Sequence, residues 1–230
     1  AGALRFEAFV FNWPGEKQRA PALEAHLSPH VPVVVVNSDD ARREAFPHWV
    51  HVGAEAYFTR QWDEALRRFT GDALFHVQAD AWIDDVPGLL RDAEAAFARG
   101  AGVYAPDVDY TAHTYDRARL VEVAPGLCEV PNTDCTCWVI HGDVLRAMPR
   151  VDPAKHRLGW GIDYLVASTA HRLGRTVLRD YRRKASHPRG TGYDPRRARD
   201  ELRALLRSLP RPIARDVDRL RRLRDELHVR

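Results

Sequence analysis

The segment VPVVVV, residues 31–36, constrains this chain more than any other stretch. Valine is branched at Cβ and stiff at χ1, which disfavours helix and suits the pleated strand. A strand half exposed to water alternates apolar and polar residues. This one does not, so both of its faces require cover, and the pattern predicts a central strand of a parallel sheet with helices packed on each side. Asn37, Ser38, Asp39 and Asp40 follow at once and end the strand in a polar turn.

The neighbouring segments supply such a sheet. LRFEAFVFNW reads as a strand broken by Pro14-Gly15, and KQRAPALEAHL has helical spacing. HWVHVG is a short strand. In AEAYFTRQWDEALRRFTGD, Tyr57, Phe58, Trp62, Leu66 and Phe69 fall near helical spacing before Gly71-Asp72 stops the segment. ALFHVQAD is a further strand, and VPGLLRDAEAAFARG is a helix with Pro87 in its first turn and Gly100 at its end. Strand and helix thus alternate through the first hundred residues, the order that right-handed crossovers between parallel strands require. Beyond residue 100 the rhythm changes. GVYAPDVDYT and LVEVAPGLCEVPNTDCTCWVIHG read as short strands that add an antiparallel portion, GIDYLVASTAHRLG as a helix, RTVLRDY as a strand and KASHPRGTGYDP as a loop. Leucines at 202, 205, 206 and 209, then Val217, Leu220, Leu223 and Leu227, mark two amphipathic helices separated by Pro210 and Pro212. The expected fold is α/β, a mixed and mainly parallel sheet flanked by helices over residues 1–194, with a basic helical extension over 195–230.

Composition excludes several alternatives. With 45% hydrophobic residues the chain can build an ordinary core. No stretch approaches the roughly 18 uncharged apolar residues of a membrane span, and AGALRFEAFVF lacks the basic-then-apolar layout of a signal peptide. Cys128, Cys135 and Cys137 crowd into ten residues and make no disulfide framework, which fits a cytoplasmic setting. With His141 they offer four metal donors, but the spacing C-x6-C-x-C-x3-H lacks the paired knuckles of structural zinc sites, and small apolar strand residues are the better reading. The net charge of +3 hides an asymmetry: residues 182–230 hold 16 Lys+Arg against 7 Asp+Glu, and the rest of the chain is net acidic. The basic helices can be a solvated packed surface, a contact with an anionic membrane face, or a subunit or polyanion contact; no base-reading motif accompanies them, so nucleic acid is not expected.

Ligands of open α/β sheets gather beyond the carboxyl ends of the strands. That rule selects Asn12 and Trp13 after the first strand, Asn37 to Asp40 after the second, and Asp80 after the fourth. The order FVFNW, VVVVNSDD, YFTRQWDEALRRFTGDALFHVQAD and then GWGID with Gly174, Val177, Asp180 and His187 resembles the GT-A fold nucleotide-sugar glycosyltransferases, close to their family 2 group, over roughly residues 4–193. The resemblance implies transfer of a sugar from a nucleoside diphosphate sugar, UDP being the commonest, to a hydroxyl of a glycan, lipid-linked or small-molecule acceptor, as in polysaccharide biosynthesis. It assigns Asp39 to the donor nucleoside, where the strand-end rule adds Asn12 and Asn37, Asp80 and His187 to a divalent cation, Mn2+ or Mg2+, and Asp163 to proton abstraction from the acceptor in an inverting reaction; Arg189 lies among basic residues that can neutralise the donor's diphosphate. Trp160 and Gly161 fall on the acceptor side, with Gly159 and Gly161 letting the backbone approach the substrate. The chain departs from the family pattern at Gln78, which stands where the first acid of an Asp-x-Asp motif is usual.

Each of these residues also has a plainer reading. Asp80 and Asp39 are ordinary turn or cap acids, Asp163 a helix N-terminal acid and His187 a loop histidine. Asp84 and Asp85 are expected to begin the helix that follows them. Two rival functions remain beside the transferase. One is a non-catalytic nucleotide-sugar-binding module, suggested by Gln78; the other is a different nucleotide-using transferase, whose glycine- and lysine-rich phosphate loop is not visible after the first strand.

Overall fold

The computed structural model describes residues 3–15, 19–109, 118–188 and 193–228. Four parallel strands form one half of a ten-stranded sheet: β1 (Phe6–Asn12), β2 (Val33–Asn37), β3 (Val50–His51) and β4 (Ala73–Gln78). The other half contains β6 (Ala101–Val108), β7 (Val121–Ala124), β8 (Leu127–Glu129), β9 (Cys137–His141) and β10 (Thr176–Ser186). The spatial order is β3-β2-β1-β4-β9-β6-β10-β8-β7. β9 runs antiparallel between β4 and β6, β10 is parallel to β6, and β8 and β7 close the far edge as an antiparallel hairpin. A two-residue strand, β5 (Trp82–Ile83), leaves this path and pairs with the end of β10.

Side chains alternate along each strand, so the sheet has two apolar faces. Ala8, Val10, Val35, Phe75 and Val139 point to one of them, where they meet Leu23 and Leu27 of α1 (Ala20–Leu27) and Leu89 and Phe97 of α3 (Val86–Ala98). Phe9, Phe11, Val36, Leu74 and Ile140 point to the other. That face is covered by α2 (Phe58–Arg68), α4 (Gly142–Ala147) and α5 (Ile162–Arg172), and by Leu205 of α6 (Pro195–Ser208) and Val217 and Leu220 of α7 (Arg211–His228). The C-terminal helices are therefore packed against the same layer as α5.

The valine run differs from its expectation in one respect. β2 lies next to the edge, with only the two-residue β3 beyond it, and Val33 and Val34 are partly exposed while Val35 and Val36 are buried. Its continuous apolar pattern reflects helices on both faces, and says nothing of how many strands lie to either side. The segment 175–181 was expected to be one strand; β10 instead runs on to Ser186, held by β6 and β5. Asp85 caps α3 by accepting from the Gly88 amide at 2.9 Å, as its position before the helix implied.

His76 sits at the centre of the second face, with no exposure, between Phe11, Phe58 and Trp62, and Trp138 donates its indole N–H to His76 Nδ1 at 3.1 Å. Burial pushes its pKa down to about 3 from the ordinary 6.5, so the folded protein holds this imidazole neutral. The unfolded chain takes up a proton there first. The stabilising contribution is thus complete above about pH 6.5 and is lost as the pH falls toward 3, at up to about 1.4 kcal/mol per pH unit. Urea unfolding measured between about pH 7 and pH 4 should show this slope, and His76→Gln, which keeps an acceptor for Trp138 and removes the titration, should flatten it.

Candidate active site

The carboxyl ends of β1, β2, β4, β6 and β10 lie along one edge of the sheet, and antiparallel β9 brings the segment before Cys137 to that edge. Gln78 donates its amide N–H to the Thr136 carbonyl at 2.9 Å, which fixes residues 134–136 beside the end of β4. Asn12, Asn37, Asp39, Asp80, Asp163 and His187 are thereby gathered at one edge from segments more than 170 residues apart. Arg189 lies outside the described residues.

At the β1–β2 end the chemistry is governed by Asn37. Its Nδ2 donates to the Asp39 carbonyl at 2.8 Å and to His51 Nδ1 at 2.9 Å; its Oδ1 accepts from Asn12 Nδ2 at 2.7 Å and from the Asp39 amide at 3.0 Å. A primary amide has two donors and two acceptor lone pairs, and all are used. Asn37 is thus a brace for the Ser38–Asp40 turn. Gln61 of α2 completes the brace by donating to the carbonyls of Asn12, at 2.7 Å, and Val36, at 3.1 Å. Asp39 caps the short turn Asp40–Arg42 by accepting from the Ala41 amide at 3.1 Å, so its plainer role is realised. Its second oxygen lies 3.8 Å from Arg42 Nε. Asn12 Oδ1 is buried and has no hydrogen-bond partner among the described residues.

Asp80 follows β4 and is 7% exposed. The chain from Asp80 crosses the sheet edge and enters β5, whose pairing of Ile83 with Ala185 and Trp82 with Ser186 places Asp80 beside the residue after β10. There His187 Nε2 lies 3.1 Å from Asp80 Oδ2, and both side chains are buried. Asp80 Oδ1 is buried without a hydrogen-bond partner among the described residues. A buried carboxylate oxygen left unanswered is costly, and it marks a position suited to a cation or donor group. Among the described residues no group of three or more His, Cys, Asp or Glu could enclose a metal ion. Mg2+ and Mn2+ bound together with phosphates commonly use only one or two protein side chains and complete their shells from phosphate and water. The Asp80–His187 pair fits an ion shared with a diphosphate, and does not fit a closed structural metal site.

Asp163 occupies the first turn of α5 and is partly buried. Asn132, itself 4% exposed, donates to Asp163 Oδ2 at 3.3 Å. Burial pushes the Cys135 thiol well above its ordinary pKa, and the negative charges of Asp163 and Asp134 add to this. Trp160 donates its indole N–H to the Tyr193 hydroxyl at 2.8 Å, and burial pushes Tyr193 up to about 12. An acid, a neutral thiol, an indole and a neutral phenol thus line one region. Asn132 and the Trp160–Tyr193 pairing are not legible as a unit in the sequence, because each link spans about thirty residues and whole strands and helices lie between the partners.

The two glycines before α5 have a packing explanation. Gly161 has φ +103°, and a Cβ there would lie 2.8 Å from Leu202 and 2.9 Å from Leu205 of α6. Gly159 has φ +83°, and its Cβ would lie 2.4 Å from the Phe58 ring. These glycines let α5 approach α6 and α2. A cavity of about 360 Å³ lies elsewhere, under the β7–β8 hairpin, lined by Asp92, Arg99, Tyr104, Leu127, Leu178 and Arg182 among others, and it is separate from this edge.

No family model and no curated protein matches the sequence. Solved structures do. GalNAc-T7 with UDP, GalNAc and Mn2+ is similar over 98% of this chain, with a TM-score of 0.63 and 10% identity, and the chain spans 55% of its length. TarS residues 1–349 from S. aureus, in complex with UDP-GlcNAc, is similar over 93% of the chain and 70% of its own, with a TM-score of 0.57 and 15% identity. The mannosyltransferase PcManGT from Pyrobaculum calidifontis, in complex with GDP-Man and Mn2+, is similar over 95% and 70%, with a TM-score of 0.56 and 15% identity. The fold is that of the GT-A nucleotide-sugar glycosyltransferases.

The brace around Asn37 predicts a specific loss. Asn37→Ala leaves the buried Asn12 amide and the Asp39 N–H unpaired and should lower stability by about 2–3 kcal/mol, read by urea unfolding. A loss under about 0.5 kcal/mol would show that water or a neighbour replaces these bonds.

Proposed function

We propose that this chain transfers a sugar from a nucleoside diphosphate sugar to a hydroxyl acceptor, with inversion at the anomeric carbon. The observation that carries the reading is Asp80: a buried carboxylate, paired with His187 through one oxygen and unpartnered at the other, at the same sheet edge as Asp163. The similar structures were solved with UDP, UDP-GlcNAc or GDP-Man, which supports a nucleotide-sugar donor and makes uridine the first base to test.

In this reading the turn held by Asn37 presents Asp39 and Asn12 Oδ1 toward the nucleoside. Asp80 and His187 are the residues that would hold a divalent cation, Mn2+ or Mg2+, which supplies positive charge beside the diphosphate when bound. Arg189, two residues after His187 in sequence, is the basic residue proposed to meet the donor's diphosphate charge. Asp163 accepts the proton of the acceptor hydroxyl while that oxygen forms its bond to the anomeric carbon. The bond from that carbon to the diphosphate oxygen breaks on the opposite face, and its electron pair leaves with the nucleoside diphosphate. Asn132 donates to Asp163 Oδ2 and so holds the carboxylate in place for that step. Trp160, oriented by Tyr193, forms an apolar wall on which a sugar face can rest.

Asp163→Asn is isosteric and keeps a side chain for Asn132 to meet, but it cannot take a proton. Its turnover should fall by about 10²- to 10⁴-fold with donor affinity unchanged, measured by release of nucleoside diphosphate alongside donor calorimetry. Unchanged turnover would remove Asp163 from the chemistry. Tight donor binding with no turnover in the wild type, across a panel of acceptors, would favour the non-catalytic binding module that Gln78 suggests.

A further inference from the structure

The sequence places its basic charge in the C-terminal helices, and the structure shows which side of them is free. α7 packs through Val217 and Leu220 onto the face that carries α5. On its opposite side Arg211, Arg215, Arg219 and Arg222 follow at intervals of four, four and three residues, which puts them on one stripe about 16 Å long. All four are exposed, and none makes an ion pair or side-chain hydrogen bond among the described residues. The acids of α7 do not neutralise the stripe: Asp216 pairs with Arg172 at 3.9 Å, Asp218 with Arg221 at 3.6 Å and Asp225 with Arg224 at 3.8 Å, while Glu226 stands at its far end. Arg199 and Arg207 of α6 are exposed and unpaired in the same way.

Like charges held a helical turn apart repel one another, and that repulsion is relieved by an anion outside the chain. Guanidinium groups are suited to phosphate oxygens in particular. A straight row on the outer side of a helix is tangent to a flat surface. Neither helix contains Phe, Tyr, Trp, Asn or Gln, so no aromatic platform or carboxamide accompanies the arginines, and what the stripe offers is charge complementarity to phosphate. We propose that the arginine stripe of α7, extended by α6, docks on the anionic phosphate headgroups of a lipid bilayer. No helix among the described residues is long and apolar enough to cross a membrane, so the contact is a peripheral, electrostatic one. The inference goes beyond the transferase reading and stands or falls separately from it.

The position of the stripe has a consequence for the site. α6 lies on Gly161 through Leu202 and Leu205, and Glu201 of α6 accepts from the Leu158 amide at 2.8 Å, so the docking helices adjoin the loop that leads to Asp163. The acceptor side of the edge would then lie near the membrane.

The test is co-sedimentation of the full chain with vesicles of phosphatidylcholine, with and without about 30% phosphatidylglycerol, at low and high salt. Binding is expected only to the anionic vesicles and should vanish at about 0.5 M salt. At roughly fivefold per arginine, the variant carrying Arg211→Gln, Arg215→Gln, Arg219→Gln and Arg222→Gln should lose at least 100-fold in partitioning, with an unchanged melting curve. Arg91→Gln on α3 with Arg99→Gln just after it should bind as the wild type does. Equal binding to neutral vesicles, no vesicle binding at all, or an undiminished quadruple variant would overturn the proposal. So would tighter binding to a DNA duplex than to vesicles in the same buffer, which would assign the stripe to nucleic acid.

Discussion

The site depends on a carboxylate buried at the end of a strand. An uncompensated charge in such a place costs several kcal/mol, so Asp80 is tolerable only because something else is brought to it. That partner is His187, 3.1 Å away and 107 residues later in the chain. Two residues of β5 make the meeting possible, since they pair with the end of β10 and carry the chain past β9 and β6 along the sheet edge. One strong contact therefore ties the parallel half of the sheet to the antiparallel half at the point where the candidate chemistry lies.

The two sides of that point are built differently. On the β1–β2 side the order is polar: Asn37 uses every donor and acceptor it has, and Gln61 holds the carbonyls beneath it. Such a network resists rearrangement, because losing any member leaves a buried polar group unpaired. On the Asp163 side the order comes from close packing, with Gly159 against Phe58 and Gly161 against Leu202 and Leu205. The C-terminal helices thus take part in shaping the loop before Asp163, and a change in α6 is felt at the start of α5.

Much of the layout was legible in the sequence. The alternation of apolar strands and amphipathic helices up to residue 100, the cap at Asp85 and the paired leucine helices all correspond to observed elements, because local pattern and tertiary burial agree there. Longer-range features were hidden. The valine run specified burial on both faces but not a place next to the sheet edge. β5, with two residues, has no periodicity to detect, and α4, with six, was missed for the same reason. The hydrogen bonds of Asn37 go to Asn12, Asp39 and His51, partners that its place after β2 does not disclose. Gly161 sits against Leu202 and Leu205, a packing role that its position before α5 does not disclose. In each case the deciding partner lies far away in sequence.

The central claim is that Asp80 and His187 form one end of a cation site whose remaining ligands come from a diphosphate. Binding of Mn2+ measured by electron paramagnetic resonance, with and without UDP, tests it directly, since two ligands that share an ion must raise each other's affinity by the same factor. The account predicts weak Mn2+ binding alone, binding at least tenfold tighter with UDP present, and loss of that coupling in Asp80→Asn. Mn2+ affinity that is the same with and without UDP, or coupling that survives Asp80→Asn, would contradict it.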